Sequence, residues 1–457
     1  MGASRYHFSG VGGAGMSPLA LLMRARGHAV QGSDRAFDQG RNEETERRLA
    51  DAGIVIKPQD GTAVGPDIDR FVHSTAVEAD TPERRAALAL GIETVPRPAL
   101  LAEIVNAGRP GVAIAGTSGK STIAGMVAWI LRDAAVPATV LGGAALVGES
   151  GGGCFAAGPV DGPVVAEACE SDGTLVGYRP AVGLVHNISR DHGEVADVRA
   201  QFTTFAEGSA RLLVNAACRE AAALAGVRPA ITYGVAEGAQ APLRMLSLGP
   251  DRALGTLRVA GGEIALDVPQ PGVHNLENAA AAALVALELG IPPRAVASAL
   301  SRFPGVARRF EVIGVTADGI RVVDDYAHNG EKLRAAITTA QAGSSRLVAV
   351  FQPHGFGPAR FLRAELRDLL PRILREGDRF AYLEVFYAGG TVTRDVTGRI
   401  LADDLPGCGY AADHAAAVEW VRGQARPGDT VLIMGARDPS LPRLARAVLG
   451  AISRKSP

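Results

Sequence analysis

The stretch AIAGTSGKSTIAGMVAWIL, residues 113–131, constrains the fold more than any other. AIA reads as the end of a buried strand, GTSGKST (Gly116, Thr117, Ser118, Gly119, Lys120, Ser121, Thr122) as a glycine-rich turn, and IAGMVAWIL as an apolar run of helical length. A strand that feeds such a turn and then a helix gathers backbone N–H groups at the positive end of a helix. That geometry holds polyphosphate, with Lys120 reaching the outer phosphates and the Ser121 hydroxyl available to Mg²⁺. The full phosphate-loop pattern places a glycine five residues before Gly119, where this chain has Ile114.

Composition sharpens the reading of Lys120. Of 47 basic residues only four are lysines, namely Lys57, Lys120, Lys332 and Lys455. A lysine retained in the turn suits a compact point charge, which the broad planar fork of arginine does not supply. The rest of the composition sets outer bounds. A chain of 457 residues calls for about three domains. Hydrophobic content of 47% and charged content of 21% describe a globular protein with ample core. A net charge of −1 gives no electrostatic case for nucleic acid or for a membrane surface. Four cysteines without a CxxC pair read as reduced thiols of a cytoplasmic protein, neither a disulfide framework nor a zinc site. With no charged-then-apolar leader and no uncharged apolar run of about 18 residues, the expected location is the cytosol.

Residues 1–108 alternate short strands and helices in the rhythm of a parallel sheet covered by helices. Gly10, Gly12 and Gly15 satisfy G-x-G-x-x-G after the strand YHFSG, and Asp34 lies 19 residues beyond Gly15 at the end of the next strand. This is a pyrophosphate-binding fingerprint, with Asp34 placed for a ribose hydroxyl. Two readings stay open, a nicotinamide dinucleotide and a nucleotide-linked substrate. No hydride-transfer acid or base is nearby, which favours the second. NAGRPG (106–111) reads as a linker, and the phosphate turn opens a second domain over 109–305.

In that domain PVVAEACESDG (163–173) is an apolar strand emptying into Glu167, Glu170 and Asp172, where Mg²⁺ ligands are expected beside a phosphate turn. AVGLVHNIS empties into Asp191 and His192 at the same carboxyl edge. Residues 231–270 read as twisted antiparallel strands. PGVHNLENAAAAALVALELG (271–290) is a long helix with His274 or Asn275 as cap, and Asn275 and Asn278 share a face. These asparagines either cap the helix or, if this end faces the phosphate turn, read a base. FPGVARRFEVIG (303–314) reads as a second linker, and 306–457 as a third open α/β unit. There DDYAH (324–328) and QPH (352–354) sit at strand ends.

Taken together, these motifs resemble the Mur ligases, the ATP-dependent amide-forming enzymes of peptidoglycan precursor synthesis, most closely the type that adds L-alanine to UDP-N-acetylmuramate. The resemblance runs through HFSGVGGAGMSPLA, GSD, GTSGKST, AEACESDG, NISRDH, HN-x-x-N, GVARRFE, DDYAH, QPH and MGARD. It implies three domains: an N-terminal Rossmann-like UDP-binding domain, a central P-loop ATPase-type α/β domain, and a C-terminal Rossmann-like domain that binds the amino acid and closes over the nucleotide. It also implies ATP and Mg²⁺ as cofactors, small-molecule substrates, and a monomer or homodimer. The reaction it implies passes through an acyl phosphate that an amine then displaces. Both steps need charge neutralised more than protons moved.

By the same resemblance Ser121, Glu167 and His192 hold Mg²⁺, and Lys120, Glu167 and His192 form the catalytic set. Arg309 contacts nucleotide phosphate, Asp325 the ribose, and His274, Asn275 and Asn278 the base. Gly12, Gly13, Ala14, Gly15 and Met16 form the pyrophosphate loop; Ser33, Asp34, Ser74 and Thr75 the uridine end; and His328, His354 and Arg360 the amino-acid side. The chain departs from that type in three places. GTHGKT is GTSGKS here, the two-histidine turn is YAHNG, and QPHRYTRTR is QPHGFGPAR, so two arginines near the substrate carboxylates become Gly355 and Pro358. Each charged hydrogen bond lost is worth about 1.5–3 kcal/mol, which weakens a small amino acid as substrate. No lysine falls between Lys120 and Lys332, so a carbamoylated lysine holding a second metal is not expected. Alternatives are a recycling ligase that attaches a tripeptide, a paralogue acting on another acid and amine, a nicotinamide dehydrogenase, and a catalytically silent nucleotide-binding scaffold.

Overall fold

The structure, a computed structural model, describes residues 3–74, 77–78, 80–149, 153, 155–170, 173–189, 195–387 and 393–453. It is α/β throughout, with three sheets. The chain forms two compact units: the first holds the first two sheets, and the second holds the third sheet together with Leu248–Arg252 and Gln270–Gly272.

The first sheet is built from β1 (Arg5–Ser9), α1 (Met16–Ala25), β2 (Ala29–Ser33), α2 (Arg35–Asp38), α3 (Glu43–Asp51), β3 (Val55–Lys57), β4 (Arg70–His73), α4 (Pro82–Ala89), β5 (Glu93–Pro96) and α5 (Arg97–Ala107). Its strands are all parallel in the order β3-β2-β1-β4-β5. The chain winds outward from β1 first on one side and then on the other. The switch point therefore lies at the carboxyl end of β1, where open parallel sheets leave a crevice and where Gly10–Gly15 sits. Helix α4 starts on a Thr81 cap with Pro82 in its first turn. That start carries Glu83 inward beneath the strand ends. His7 Nε2 lies 2.8 Å from Glu83 Oε1, and the hydroxyls of Ser9 and Ser33 both donate to the same carboxylate. All four side chains are fully buried. Burial alone would raise the Glu83 pKa, but the bonds from His7 and the serines hold it below the usual value.

The second sheet follows from β6 (Gly111–Ala115), α6 (Lys120–Asp133), β7 (Thr139–Leu141), β8 (Phe155–Ala156), β9 (Val164–Ala168), β10 (Val182–Val185), α7 (Val195–Gly208), β11 (Arg211–Asn215), α8 (Arg219–Ala222), β12 (Ala230–Gly234), β13 (Ala241–Leu248), β14 (Ala253–Val259), β15 (Gly262–Val268), α9 (Val273–Glu288) and α10 (Pro293–Leu300). The order β15-β14-β13-β12-β11-β10-β6-β9-β7-β8 puts β6, all five residues buried, between β10 and β9. Ala279–Ala283 of α9 are wholly buried, and small side chains there let the helix lie close on α6. Two expectations change. Residues 231–270 are not all antiparallel: β12 continues the parallel run beside β11, β13 joins it through two parallel pairs, and β14 and β15 form an antiparallel hairpin. NAGRPG is a packed turn and not a loose connection. Asn106 bonds the backbone at Gly177 and Arg179, and a side chain on Gly111 would lie 1.9 Å from the Val105 carbonyl. One core accordingly runs from Tyr6 through α5 to Leu224.

The third sheet comprises β16 (Glu311–Val315), β17 (Arg321–Asp325), α11 (Gly330–Ala342), β18 (Leu347–Gln352), α12 (Phe356–Ile373), β19 (Arg379–Leu383), α13 (Gly398–Asp403), β20 (Gly409–Ala411), α14 (His414–Gln424), β21 (Thr430–Gly435) and α15 (Leu441–Ser453). The order is β16-β17-β21-β18-β19-β20, parallel except for β16. β16 corrects the expectation of a linker over 303–314. It is an edge strand with a bulge at Val312/Gly314, and its apolar residues Val312 and Val315 are exposed and not buried in a core.

Glu83→Gln should lower stability by about 2–4 kcal/mol at pH 7, since it breaks a buried pair. Because the folded carboxyl is more acidic than the unfolded one, that contribution is present above the unfolded pKa and fades as pH falls through the folded value. Urea denaturation of both proteins at pH 7 and near pH 3 should show the gap narrowing at acid pH.

Candidate functional site

At the end of β6 the chain turns through Gly116 (φ +145°) and Gly119 (φ +85°) into α6. Asn187, just beyond β10, holds this turn. Its backbone carbonyl accepts from Thr117 N (3.1 Å), its side-chain oxygen from Ser118 N (2.8 Å), and its amide donates to the Ser118 carbonyl (3.2 Å). Ser189 N donates to the Thr117 hydroxyl (3.0 Å). A Cβ on Gly116 would come within 3.1 Å of Asn187 N, and one on Gly119 within 2.5 Å of Asn278 Oδ1 and 3.0 Å of the His186 ring. The start of α9 therefore does face the phosphate turn. Asn278 Oδ1 is buried with no hydrogen-bond partner among the described residues, as is Ser118 Oγ. Asn275 is buried beside Asn278, their side chains 3.4 Å apart, and His274 is exposed.

Lys120 Nζ donates to the Gly116 carbonyl and to Glu170 Oε2 at 2.9 Å. Burial would lower its pKa, but Glu170 foremost, with Cys169 and Glu167, outweighs burial and raises it, so Lys120 remains a cation. Glu167, at the end of β9, accepts from Gly143 N at 2.6 Å. Ser121 and Thr122 are buried in the first turn of α6. His186 is buried against Tyr233, Nδ1 to hydroxyl 2.7 Å, and burial pushes its pKa down to about 4, so the ring is neutral. Asp172, Asp191 and His192 lie outside the described residues.

In the first sheet the glycine loop closes on itself. Gly10 N and Val11 N donate to the Ser33 carbonyl, and Met16 N and Ser17 N to that of Gly13. Asp34 braces the loop with both oxygens, accepting from Gly12 N and from Ala36 N at 2.9 Å each. Gly12 can be nothing larger, because a Cβ would sit 2.8 Å from the Phe37 ring. Gly13, Ala14 and Gly15 complete the turn into α1, while the Met16 side chain is core. The Ser33 hydroxyl points into the Glu83 cluster, and Ser74 N bonds the Ser9 carbonyl. Thr75 lies outside the described residues.

In the second unit the ends of β17, β18 and β21 gather a separate set. Arg308, Phe310 and Arg437 all adopt left-handed backbone (φ +60°, +50° and +64°), strain that surrounding bonds must hold in place. Arg308 donates to the carbonyls of Gly435 (2.6 Å) and Asp438 (3.2 Å) and lies 3.3 Å from the buried Asp324. Asp325 accepts from Phe310 N and Ala327 N, each at 2.7 Å. The Arg308 and Arg309 guanidinia both stand 5.0 Å from the Tyr326 ring centre. Burial pushes the Asp324 carboxyl up to about 7, against the pull of Arg308 and with help from Glu311 and Asp325. His328 and His354 meet edge to face at 5.5 Å, and Arg360 pairs with Asp395 in solvent.

Three family models match the chain in order: the Mur ligase family catalytic domain over 5–109, the Mur ligase middle domain over 114–286, and the Mur ligase glutamate ligase domain over 308–437. The chain belongs to the Mur ligase family. This Mur ligase is 38% identical to a UDP-N-acetylmuramate–L-alanine ligase of Kineococcus radiotolerans, the match covering 95% of this chain and 93% of that one. It is 33% identical to one of Solidesulfovibrio magneticus, over 94% and 95%. Among solved structures, a UDP-N-acetylmuramate–alanine ligase of Thermotoga maritima superposes with TM-score 0.77 at 24% identity, covering 99% and 100%. A murein peptide ligase of Psychrobacter arcticus superposes with TM-score 0.70 at 21% identity, covering 100% of each. These two likenesses speak for the fold.

The residues of this Mur ligase fit a magnesium nucleotide. Gly116 and Gly119 leave a cradle that any side chain would fill, Asn278 offers a buried acceptor, and Ser121 and Glu167 are hard oxygen donors of the kind Mg²⁺ takes. Among the described residues no three His, Cys, Asp or Glu side chains converge as a metal nest. Asn187, Glu170's pairing with Lys120, and the His186–Tyr233 contact were not singled out in the sequence. The signal for Asn187 was its place directly after a buried strand; the partners of Lys120 and His186 are 47–50 residues distant and leave no local trace.

Gly119→Ala should abolish nucleotide binding, read by calorimetric titration with ADP, because the new methyl meets Asn278 and the backbone is left-handed. Asp324 carries a second expectation. Its raised pKa favours folding at low pH, and that contribution is lost as pH rises from about 4 towards about 7. Relative to Asp324→Asn, the wild-type chain should therefore lose about 3 kcal/mol of stability between pH 4 and pH 8, as chemical denaturation would read.

Proposed function

We propose that this chain joins the carboxylate of UDP-N-acetylmuramate to L-alanine or a related amine, forming ADP, in cytoplasmic synthesis of peptidoglycan precursors. What supports the reading is the full-length match to ligases of that name, combined with a buried cation in a glycine cradle at a strand end. The proposed domain roles follow the three sheets: residues 1–108 take the UDP end, 109–305 the ATP, and 306–457 the amine. No helix among the described residues is long and apolar enough to cross a membrane. The enzyme is proposed to act as a monomer or homodimer.

In this reading the Gly119 and Lys120 N–H groups and the Lys120 ammonium meet the transferring phosphoryl group, while Thr117 N and Ser118 N are held by Asn187, and Glu170 keeps Lys120 charged and aimed. Ser121 and Glu167 would hold Mg²⁺, with His192 proposed for a second ion; bound there, magnesium supplies neutralising charge to the phosphate oxygens. By tying Thr117 and Ser118, Asn187 fixes the backbone of the turn, so that the remaining donors need no rearrangement as charge develops. His274, Asn275 and Asn278 are proposed to meet the base. Asp34 and the glycine loop are proposed to position the sugar nucleotide, Arg309 to contact a phosphate of ATP, and Asp325 its ribose.

ADP release should require UDP-N-acetylmuramate and an amine together, measured by a coupled assay against amino acids and short peptides. A tripeptide outperforming every amino acid would move the enzyme to the recycling reaction. Lys120→Ala should lower turnover at least about 1,000-fold while the full chain still binds the UDP-sugar. Retained turnover would mean that the phosphate site is elsewhere.

A further inference from the structure

The carboxyl ends of β1 and β2 are joined by one side chain that the mechanism above does not use. Glu83, in the first turn of α4, accepts from the hydroxyls of Ser9 and Ser33, the last residues of those two strands, and meets His7 Nε2. The tautomer of His7 is set from its far side. Gln31 Nε2 donates to the Ala63 carbonyl at 2.7 Å, which orients the amide, and reaches His7 Nδ1 at 3.0 Å. Nδ1 therefore accepts, and Nε2 carries its proton towards Glu83. Every group that meets the carboxylate is a donor, and all four side chains are wholly buried. The backbone of the same two serines carries the glycine loop. The Ser33 carbonyl accepts from Gly10 N at 2.8 Å and Val11 N at 3.0 Å, and the Ser9 carbonyl from Ser74 N at 3.1 Å. Within the loop Gly12 N is taken by Asp34 and Gly13 N by the Gly10 carbonyl. Ala14 N and Gly15 N, at the start of α1, are the two loop donors with no hydrogen bond among the described residues. Where they point depends on where Ser33 holds Gly10 and Val11, and Ser33 is held by Glu83.

We propose that Glu83 is a positioning residue for the sugar nucleotide, acting through Ser33 to aim the open N–H groups of the Gly10–Gly15 loop at the pyrophosphate. This rests on the ligase reading above, which gives the loop a nucleoside diphosphate as its ligand. Ser33, expected at the uridine end, contributes through its carbonyl, because its hydroxyl is committed to Glu83. Bonds from both strand ends onto one buried carboxylate fix the loop before the substrate arrives, so less has to be ordered on binding. The effect falls on affinity for the sugar nucleotide and not on the phosphoryl step, since Glu83 touches neither substrate.

The test uses the full chain and follows UDP-N-acetylmuramate by calorimetric titration as well as by turnover. Glu83→Gln keeps the shape and replaces one acceptor by a donor, while Ser33→Ala removes one bond to the carboxylate and keeps the carbonyl. Each should raise the Kd and KM for UDP-N-acetylmuramate about 5- to 30-fold, with kcat and the KM for ATP changing less than about threefold. The double variant should bind about as well as the weaker single one, because both substitutions break the same relay. Ile104→Ala, a core truncation in α5, controls for lost stability and should leave the Kd within about twofold. Unchanged binding in both single variants, a loss in only one of them, losses that add in the double variant, or an equal loss in Ile104→Ala would each overturn the inference and leave the ligase reading intact. Failure of the wild-type chain to bind UDP-N-acetylmuramate would remove the ligase reading and this inference with it.

Discussion

The contact on which the rest depends is Lys120 Nζ against the Glu170 carboxylate at 2.9 Å, at the mouth of a turn that has no side chain at its two tightest points. A buried ammonium is costly unless paired, and Glu170 supplies the pair. The price is a turn with no slack: Asn187 ties three of its polar groups, Asn278 and His186 close over Gly119, and β6 is buried along its full length. Such rigidity suits transfer of a phosphoryl group, where donors already in place need not reorganise.

The same device recurs in the first and third sheets. Asp34 accepts from Gly12 N and Ala36 N, and Asp325 from Phe310 N and Ala327 N. Asp34 staples the loop leaving β1 to the segment leaving β2, and Asp325 staples the segment before β16 to the one leaving β17. Asp34 and Asp325 therefore fix the backbone at these strand ends. The buried Glu83 cluster does similar work one layer deeper, binding β1 and β2 to α4 through side chains.

Backbone strain outside glycine concentrates in the third sheet. Three left-handed non-glycine residues surround Tyr326, and Arg308 holds Asp324 beneath them. A carboxyl with a pKa pushed up to about 7 is a place where neutral pH changes the charge of the core. At the neighbouring strand end His328, His354 and Pro358 line a recess whose other walls are apolar.

The sequence by itself determined the α/β class, three parallel-sheet units, the phosphate turn at 116–122, the glycine loop at 10–15, and the strand-end positions of Glu167, Asp325 and His354. Each is written in a local pattern: a buried strand, then glycine, then a helix start, within about ten residues. The exposed edge strand β16, the packed 106–111 turn and the mixed pairing of 231–270 left weaker marks, because half-exposed or irregular segments lack a clear period. Tertiary structure alone decided that Glu170 and not Glu167 pairs with Lys120, that Asn278 faces Gly119, that Ser33 turns inward to Glu83, and that Arg360 turns outward to Asp395. Each of those pairings joins residues 35 to 159 positions apart, and only the order in which strands enter a sheet brings them into reach.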